Sequence, residues 1–205
     1  MKKVLTYFVF PVIIIVLTVF IVMSVEQPVK FNQEKSAREA AAIVKLKDIR
    51  TLQVAYKNVN GKFTNSIDTL VDFYKNGKMT VIRSIGSMDD SLAVARNLVK
   101  REAIEIPVRD TLLKNRSDFD PDQLKYIPFS DGEQIIMNAT VKEVSGVDVP
   151  LFEAKVPYVL LLKQLDARYH QLIVNLVYER CDTDRYPGLQ VGSIENPNNN
   201  AGNWE

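Results

Sequence analysis

The residue types that most often perform enzyme chemistry are few in this chain, and they do not fall into a recognised spacing. His170 is the only histidine and lies in an apolar stretch beside Tyr169. A general base needs an orienting partner and a nucleophile nearby, and the sequence contains no GxSxG, HExxH or spaced Cys/His motif. We therefore interpret His170 as a helix-surface or packing residue, and we expect the protein not to be an enzyme.

Cys181 is the only cysteine and follows directly after that apolar stretch. A thiol becomes reactive where a positive charge, a metal or a helix N-terminus lowers its pKa, and no such environment is evident from the sequence. We interpret Cys181 as an inert thiol. A single cysteine also rules out an intrachain disulfide, so the fold must be held together by packing.

Two short acidic segments could gather oxygen ligands for a cation. The run from Asp118 to Asp122 begins like an EF-hand loop, but Gln123 and Phe129 stand at the sixth and twelfth places, where that loop needs Gly and Glu. We interpret this run as a solvated turn.

The second acidic segment contains Asp182 and Asp184, which are weak candidate ligands for Ca²⁺; the alternative is an ordinary polar turn. No other metal or cofactor is expected. The triplet from Asn138 to Thr140 fits a glycosylation acceptor, although it falls in a predicted strand.

The N-terminal segment of the chain indicates where in the cell the protein is located. Val4–Val25 are twenty-two residues without a charge, directly after Lys2 and Lys3. As a helix they would span about 33 Å, enough for a hydrocarbon core of about 30 Å. A cleaved export signal is the alternative, but its apolar run is shorter and ends in a small-x-small site, which this segment lacks.

We therefore expect a transmembrane helix over 4–25 that stays attached. The two lysines favour a cytoplasmic end at residues 1–3, which places the rest outside the inner, cytoplasmic membrane. The chain has 26 Lys and Arg against 25 Asp and Glu, and no basic cluster interleaved with aromatic residues. Nucleic acid is therefore not an expected partner, whereas a membrane and envelope proteins are.

Helical periodicity continues after the apolar segment and predicts an amphipathic helix over 26–60. Steps of four and three residues place one set of side chains on a single face. Asn60-Gly61 is typical of a left-handed helix end, and Pro28 should separate this helix from the membrane segment or kink the junction. The apolar set is Ala42, Leu46, Ile49, Leu52, Tyr56 and Val59.

The remaining residues, 61–205, should form one α+β domain with an antiparallel sheet. A short helix is predicted from Ile67 to Tyr74 after Asn65 or Ser66, and another from Ser87 to Val99. A long helix is predicted over 158–180, and residues 196–203 read as a polar loop. The predicted strands are Met79–Ile85, Ile104–Val108, Lys125–Phe129, Gln134–Val144, Leu151–Val156 and a last one within 186–193.

The Ala-rich run from Ala37 to Ile43, followed by Tyr56 and the Gly61-Lys62-Phe63 turn, resembles a known pattern. It is similar to the helix and following loop of type IV pilins and of the pseudopilins of type II secretion systems. The resemblance covers about the first third of the chain. It implies a membrane helix that continues into an amphipathic helix, an antiparallel sheet packed on that helix, and self-association by helix packing.

On this resemblance, the residues expected to pack helices together in an assembly are Ile13, Ala37, Ala41, Ala42, Leu46 and Ile49. The chain departs from the pilin pattern because it has no Gly before Gly61 and no acid before Glu26. These departures leave two alternatives open. One is a pilin-like subunit of a secretion or surface-filament system with a different maturation route, and the other is a single-span scaffold of an envelope complex.

Trp204 is the only tryptophan and stands next to the last residue. A terminal aromatic side chain either docks onto its own domain and holds the tail, or contacts a partner. Both readings of Trp204 remain open at the level of sequence.

Overall fold

The computed structural model describes residues 7, 9–85, 100–114, 116 and 118–205. Within them the chain is an α+β protein with a long N-terminal apolar helix and antiparallel sheets. The elements in chain order are α1 (Phe10–Asn60), α2 (Ile67–Asn76), β1 (Lys78–Ile85), β2 (Lys100–Pro107), α3 (Val108–Thr111), β3 (Ile136–Val144), β4 (Val147–Pro157), α4 (Tyr158–Leu161), α5 (Asp166–Asp182) and β5 (Gly188–Gly192).

The long helix α1 contains 51 residues and ends as its sequence predicts. Gly61 adopts a left-handed φ of 74°, and its N–H donates to the Lys57 carbonyl at 2.7 Å. Of the two outcomes expected at Pro28, a separation of the helices is wrong, because α1 runs through this residue without a break; a kink there stays a prediction. Proline has no N–H, so α1 lacks one backbone hydrogen bond at this residue. The intact turns on either side keep the helix continuous.

The short helix α2 and the first strand are confirmed. The Ser66 side chain accepts a hydrogen bond from the Thr69 N–H, and Gly77 follows the last turn. Strand β1 pairs antiparallel with β2, from Lys78 opposite Pro107 to Ile85 opposite Lys100. The helix predicted from Ser87 to Val99 lies outside the described residues.

A second sheet has the strand order β3-β4-β5, with both pairs antiparallel. Ser145 and Gly146 connect β3 to β4, and both have positive φ, as a tight hairpin with the native twist requires. These strands confirm the ones predicted over 134–144, 151–156 and 186–193. The edges of the sheet are β3 and β5, and an isolated bridge from Val191 to Gly202 pairs the tail with β5.

The strand predicted over Lys125–Phe129 is wrong. Its pairing is limited to one isolated bridge between Tyr126 and Gln134. Pro128 has no N–H to donate, and Phe129 adopts a φ of 57°, so the backbone turns away after the bridge.

The helix predicted over 158–180 is divided into α4, a 3₁₀ turn over Lys163–Leu165, and α5. The break falls at Leu162, whose backbone dihedral angles (φ −102°, ψ 5°) are not helical. Leu161, Leu162 and Leu165 are all buried around it. Tyr169 also has non-helical dihedral angles near the start of α5.

The core lies between α1 and the three-stranded sheet, and α2, α4 and α5 close its sides. Large side chains of the sheet pack against the covered face of α1. The ring of Phe152 in β4 lies 4.8 Å from the ring of Phe63, in the turn after α1. We call the folded part of the chain after Gly61 the head. The core residues of α1 are Phe31, Ala42, Leu46, Ile49, Leu52 and Ala55.

Candidate assembly surface on the long helix

The N-terminal part of α1 is apolar and uncovered. Among the described residues, α1 is the one helix long and apolar enough to cross a membrane. Its most apolar part is not buried against the rest of the described protein. Ile13, one of the expected packing residues, lies here with its side chain exposed. No part of the head that the structure describes therefore covers this segment.

Coverage of α1 by the head begins at Phe31. This side chain is 5% exposed, and its ring lies 5.5 Å from the ring of Tyr169 at the start of α5. Further along α1, Ala42, Leu46 and Ile49 are completely buried. The structure therefore places these three expected packing residues in the core of their own head, where a second helix cannot reach them.

The opposite face of the same helix segment remains free. Ala37 and Ala40 are exposed there, and Ala41 is partly exposed. Val44 and Val54 are 39% and 38% exposed, although both are apolar. We call this surface the free face of α1. Its exposed positions, spaced by three and four residues, are Gln33, Ala37, Ala40, Val44, Lys47, Thr51 and Val54.

Polar contacts fix the head on the covered side of α1. Arg38 donates to the Leu161 carbonyl at 3.1 Å, and its guanidinium lies 5.0 Å above the ring of Phe129. The Tyr158 hydroxyl donates to Glu39 at 2.6 Å. Burial, and then the contact with Glu39, raise the pKa of Tyr158, so this hydroxyl keeps its proton.

A second group of contacts attaches the loop over 112–129. The Lys45 ammonium donates to the carbonyls of Gln123 and Tyr126, at 2.6 and 2.7 Å. Arg116 bridges the buried Asp48 and the exposed Asp118, at 3.0 Å to each. Burial raises the pKa of Asp48 to about 6, and the nearby Arg116 opposes that rise only in part.

Gln53 is a structural residue that the sequence analysis did not single out. Its side chain is fully buried, its amide nitrogen donates to the Thr64 carbonyl at 2.6 Å, and its oxygen accepts from the Thr64 N–H at 3.1 Å. The helical spacing did indicate burial of this residue, because position 53 lies four residues after Ile49 and three before Tyr56, within the apolar stripe. A polar residue in an apolar stripe indicates a buried hydrogen-bond partner.

The C-terminal tail lies on its own head. The indole of Trp204 packs against the core, and its ring covers Gly202. Glu205 accepts from Arg50 of α1 at 2.8 Å, and the Asn203 N–H donates to the Gln190 carbonyl of β5 at 2.9 Å. Of the two readings of Trp204, docking of the tail is the one that has contacts in this chain.

The residues first considered for enzyme chemistry, His170 and Cys181, lie on the surface of α5. His170 is exposed, and its Nδ1 lies 2.8 Å from an Asp166 oxygen one turn earlier in α5. Cys181 is also exposed and lines, with His170, an apolar groove on the outer side of α5. Among the described residues, the His170 side chain is hydrogen-bonded to Asp166 and to no serine, threonine or cysteine.

The structure also locates the acidic segments. The Asp120 side chain caps the short 3₁₀ turn that begins at Pro121, as expected of an Asp-Pro turn. Within the part of the chain that the structure describes, no group of three or more His, Cys, Asp or Glu side chains could hold a metal. Asp182 and Asp184 are both exposed, and the calcium interpretation of this pair stays a prediction.

No protein-family model, no curated protein and no solved structure matches this chain. The function must therefore be argued from the long helix, the head and their contacts.

Proposed function

We propose that this chain is a membrane-anchored, pilin-like or pseudopilin-like structural subunit of a secretion or surface-filament apparatus. Copies assemble by packing their long helices, and the protein is not an enzyme. Its apolar helix crosses the inner membrane with the N-terminus in the cytoplasm, and the head lies outside. The proposal is carried by one observation, the division of α1 into an uncovered apolar part and a part covered on one side only.

The uncovered part of α1 requires a partner of some kind. Burying apolar surface is worth about 25 cal/mol per Å², and soluble monomers rarely expose continuous apolar patches of more than a few hundred Å². Lipid satisfies such a helix because all its backbone hydrogen bonds are internal. A bundle of identical helices satisfies it equally well, and a filament subunit uses both environments in turn.

The free face of α1 extends this surface beyond the membrane. Ala37 and Ala40 are small, and small side chains let two helix backbones approach closely. Val44 and Val54 add apolar contact area, with Lys47 as the charged member between them. A second helix could therefore follow α1 past the lipid without displacing the head.

The second candidate is a single-span scaffold or binding protein of an envelope complex, anchored in the same way but never polymerised. The absence of a Gly before Gly61 and of an acid before Glu26 favours it, because pilins use that Gly for cleavage and that Glu to pair with the neighbouring subunit. Both candidates share the anchor and the head, and they differ in whether the helices stack.

Cysteine crosslinking in native membranes separates the two candidates. On a Cys181→Ser background, the double variant Ile13→Cys with Ala41→Cys carries two reactive positions on each copy. A filament should give a ladder of oxidised multimers, whereas a scaffold should give a discrete dimer or a crosslink to another protein. The matched control replaces Ala41→Cys by Ala42→Cys, whose side chain is completely buried, and should give no ladder.

The anchor itself is tested by the intact mass of the native protein. Retention of the apolar segment in a detergent-requiring protein supports the proposal. A mature protein that begins near residue 26 and stays in solution without detergent would overturn both candidates.

A further inference from the structure

A basic cavity lies on the head where the end of α5 meets β5 and the folded-back tail. Its volume is about 360 Å³, within the range of small-molecule sites. It is lined by two arginines, a tyrosine and side-chain amides, and none of its lining residues is acidic. The polar side chains that line it are Arg180, Arg185, Tyr186, Gln190, Asn198 and Asn203.

Backbone contacts hold the floor of this cavity in place. The Gly192 N–H donates to the Ala201 carbonyl at 3.0 Å, and the Asn203 side chain donates to the Gly188 carbonyl at 2.9 Å. Gly192 has a φ of 71°, and a Cβ at this position would collide with the Phe152 carbonyl. No larger side chain than glycine fits at this point, so the cavity is part of the fold.

The positive charge in the cavity is not neutralised from within the described residues. Neither Arg180 nor Arg185 forms an ion pair there, although Asp182 and Asp184 lie between them in sequence. The negative charge of Glu153 acts on Tyr186, and Glu153 pairs with Lys155 at 2.8 Å.

The two arginines differ in what else they do. The Arg180 guanidinium lies 5.7 Å from the centre of the Tyr158 ring and donates to its hydroxyl at 3.4 Å. It also stands in the last turn of α5, where a cation stabilises the helix dipole. Arg185 lies three residues beyond the end of α5. Neither a contact with Tyr158 nor the dipole of α5 explains its position at the cavity.

The tyrosine and the side-chain amides that line the cavity can donate hydrogen bonds to a bound anion. Guanidinium groups bind carboxylate and phosphate oxygens through paired N–H donors. Burial raises the pKa of Tyr186 to about 12, so its hydroxyl stays protonated and can donate. We propose that this cavity binds a small anion that carries a carboxylate or a phosphate group. The site does not rest on the proposed filament function, because a protein that never polymerises would retain it.

Isothermal titration of the full chain in an uncharged detergent tests the site, with inorganic phosphate and glucuronate as separate probes at constant ionic strength. We expect saturable binding of at least one probe, and the probe that binds identifies the ligand as phosphate-bearing or carboxylate-bearing. Arg185→Gln should weaken that binding at least about tenfold, which corresponds to the loss of one charge-assisted contact. Arg109→Gln, which removes an exposed guanidinium elsewhere on the head, should leave it unchanged.

Three results would overturn the proposal. Neither probe saturates, or Arg185→Gln binds as tightly as the unaltered protein, or both variants lose affinity equally. The last result would mean non-specific attraction to positive charge. The thermal midpoint of each variant, measured in the same buffer, shows that the exposed substitutions have left the fold intact.

Discussion

Asp48 stands at the contact between α1 and the loop over 112–129, and its environment makes stability depend on pH. Its pKa in the folded protein is about 6, against 3.8 as the ordinary value. The folded state therefore prefers the protonated acid. The contribution of this group to stability is fully present below about pH 4 and is lost as the pH rises through 6. A shift of this size corresponds to about 2–3 kcal/mol.

Asp48→Asn should remove this dependence, because an amide keeps the shape and does not ionise. The free energy of unfolding of the unaltered protein, minus that of the variant, should fall by about 2–3 kcal/mol between pH 4 and pH 7. Urea unfolding of the full chain in micelles, followed by Trp204 fluorescence, measures this difference. Asp118→Asn is the control, since Arg116 lowers the pKa of Asp118; this carboxyl titrates mainly below pH 4, so most of the dependence between pH 4 and pH 7 should remain. A difference that does not change with pH would contradict the assignment.

Gln53 has a purely structural role that can be tested by a substitution of similar volume. Gln53→Leu leaves the N–H and the carbonyl of Thr64 without their partner in the half-buried loop after α1. Losing such partners costs about 1–3 kcal/mol. The free energy of unfolding should fall by about that amount, whereas Asn58→Leu, on the exposed side of the same helix, should change it by less than about 0.5 kcal/mol. Equal effects of the two changes would show that the buried amide is not important.

At the scale of the elements, local sequence predicts well where its signals act over a few residues. The helix cap at Ser66, one of the two expected cap residues, and the left-handed Gly61 each need only neighbouring residues, and each is found. The helix predicted over 158–180 shows the limit. Its apolar spacing is helical, but the backbone leaves helical dihedral angles at Leu162, so α4 and α5 are separated by a 3₁₀ turn.

The tail is an element whose position depends on one glycine. A Cβ on Gly202 would collide with the Trp204 indole, so Gly202→Ala should displace the ring from the head. We expect the Trp204 fluorescence to shift to longer wavelength and the loop over 196–203 to be cut faster by a protease. Glu205→Gln is the control, because it weakens the exposed pair with Arg50, while the amide oxygen can still accept from the Gly202 N–H. Unchanged fluorescence in the Gly202 variant would contradict the docked tail.

At the scale of the whole molecule, the sequence predicted which face of α1 is apolar but not how far the head covers it. Coverage begins at Phe31 because Tyr169, 138 residues later, packs against it, and no local pattern encodes such a contact. The same limit applies to the expected packing residues. Ala42, Leu46 and Ile49 share the spacing that buries them, while Ala37 lies on the free face and Ala41 beside it is partly exposed.

The free face gives the sharpest prediction for assembly. Ala40→Trp places a large ring on an exposed position of α1, so the thermal midpoint should stay within about 2 °C. If copies pack along this face, the ring holds the helices apart, and the crosslinked ladder of the Ile13/Ala41 cysteine variant should be lost. Glu143→Trp, on the exposed edge strand β3, is the matched control and should keep the ladder. A ladder that persists with Ala40→Trp would place the helix contact elsewhere, because two helices with a tryptophan between them cannot approach as closely as alanine allows.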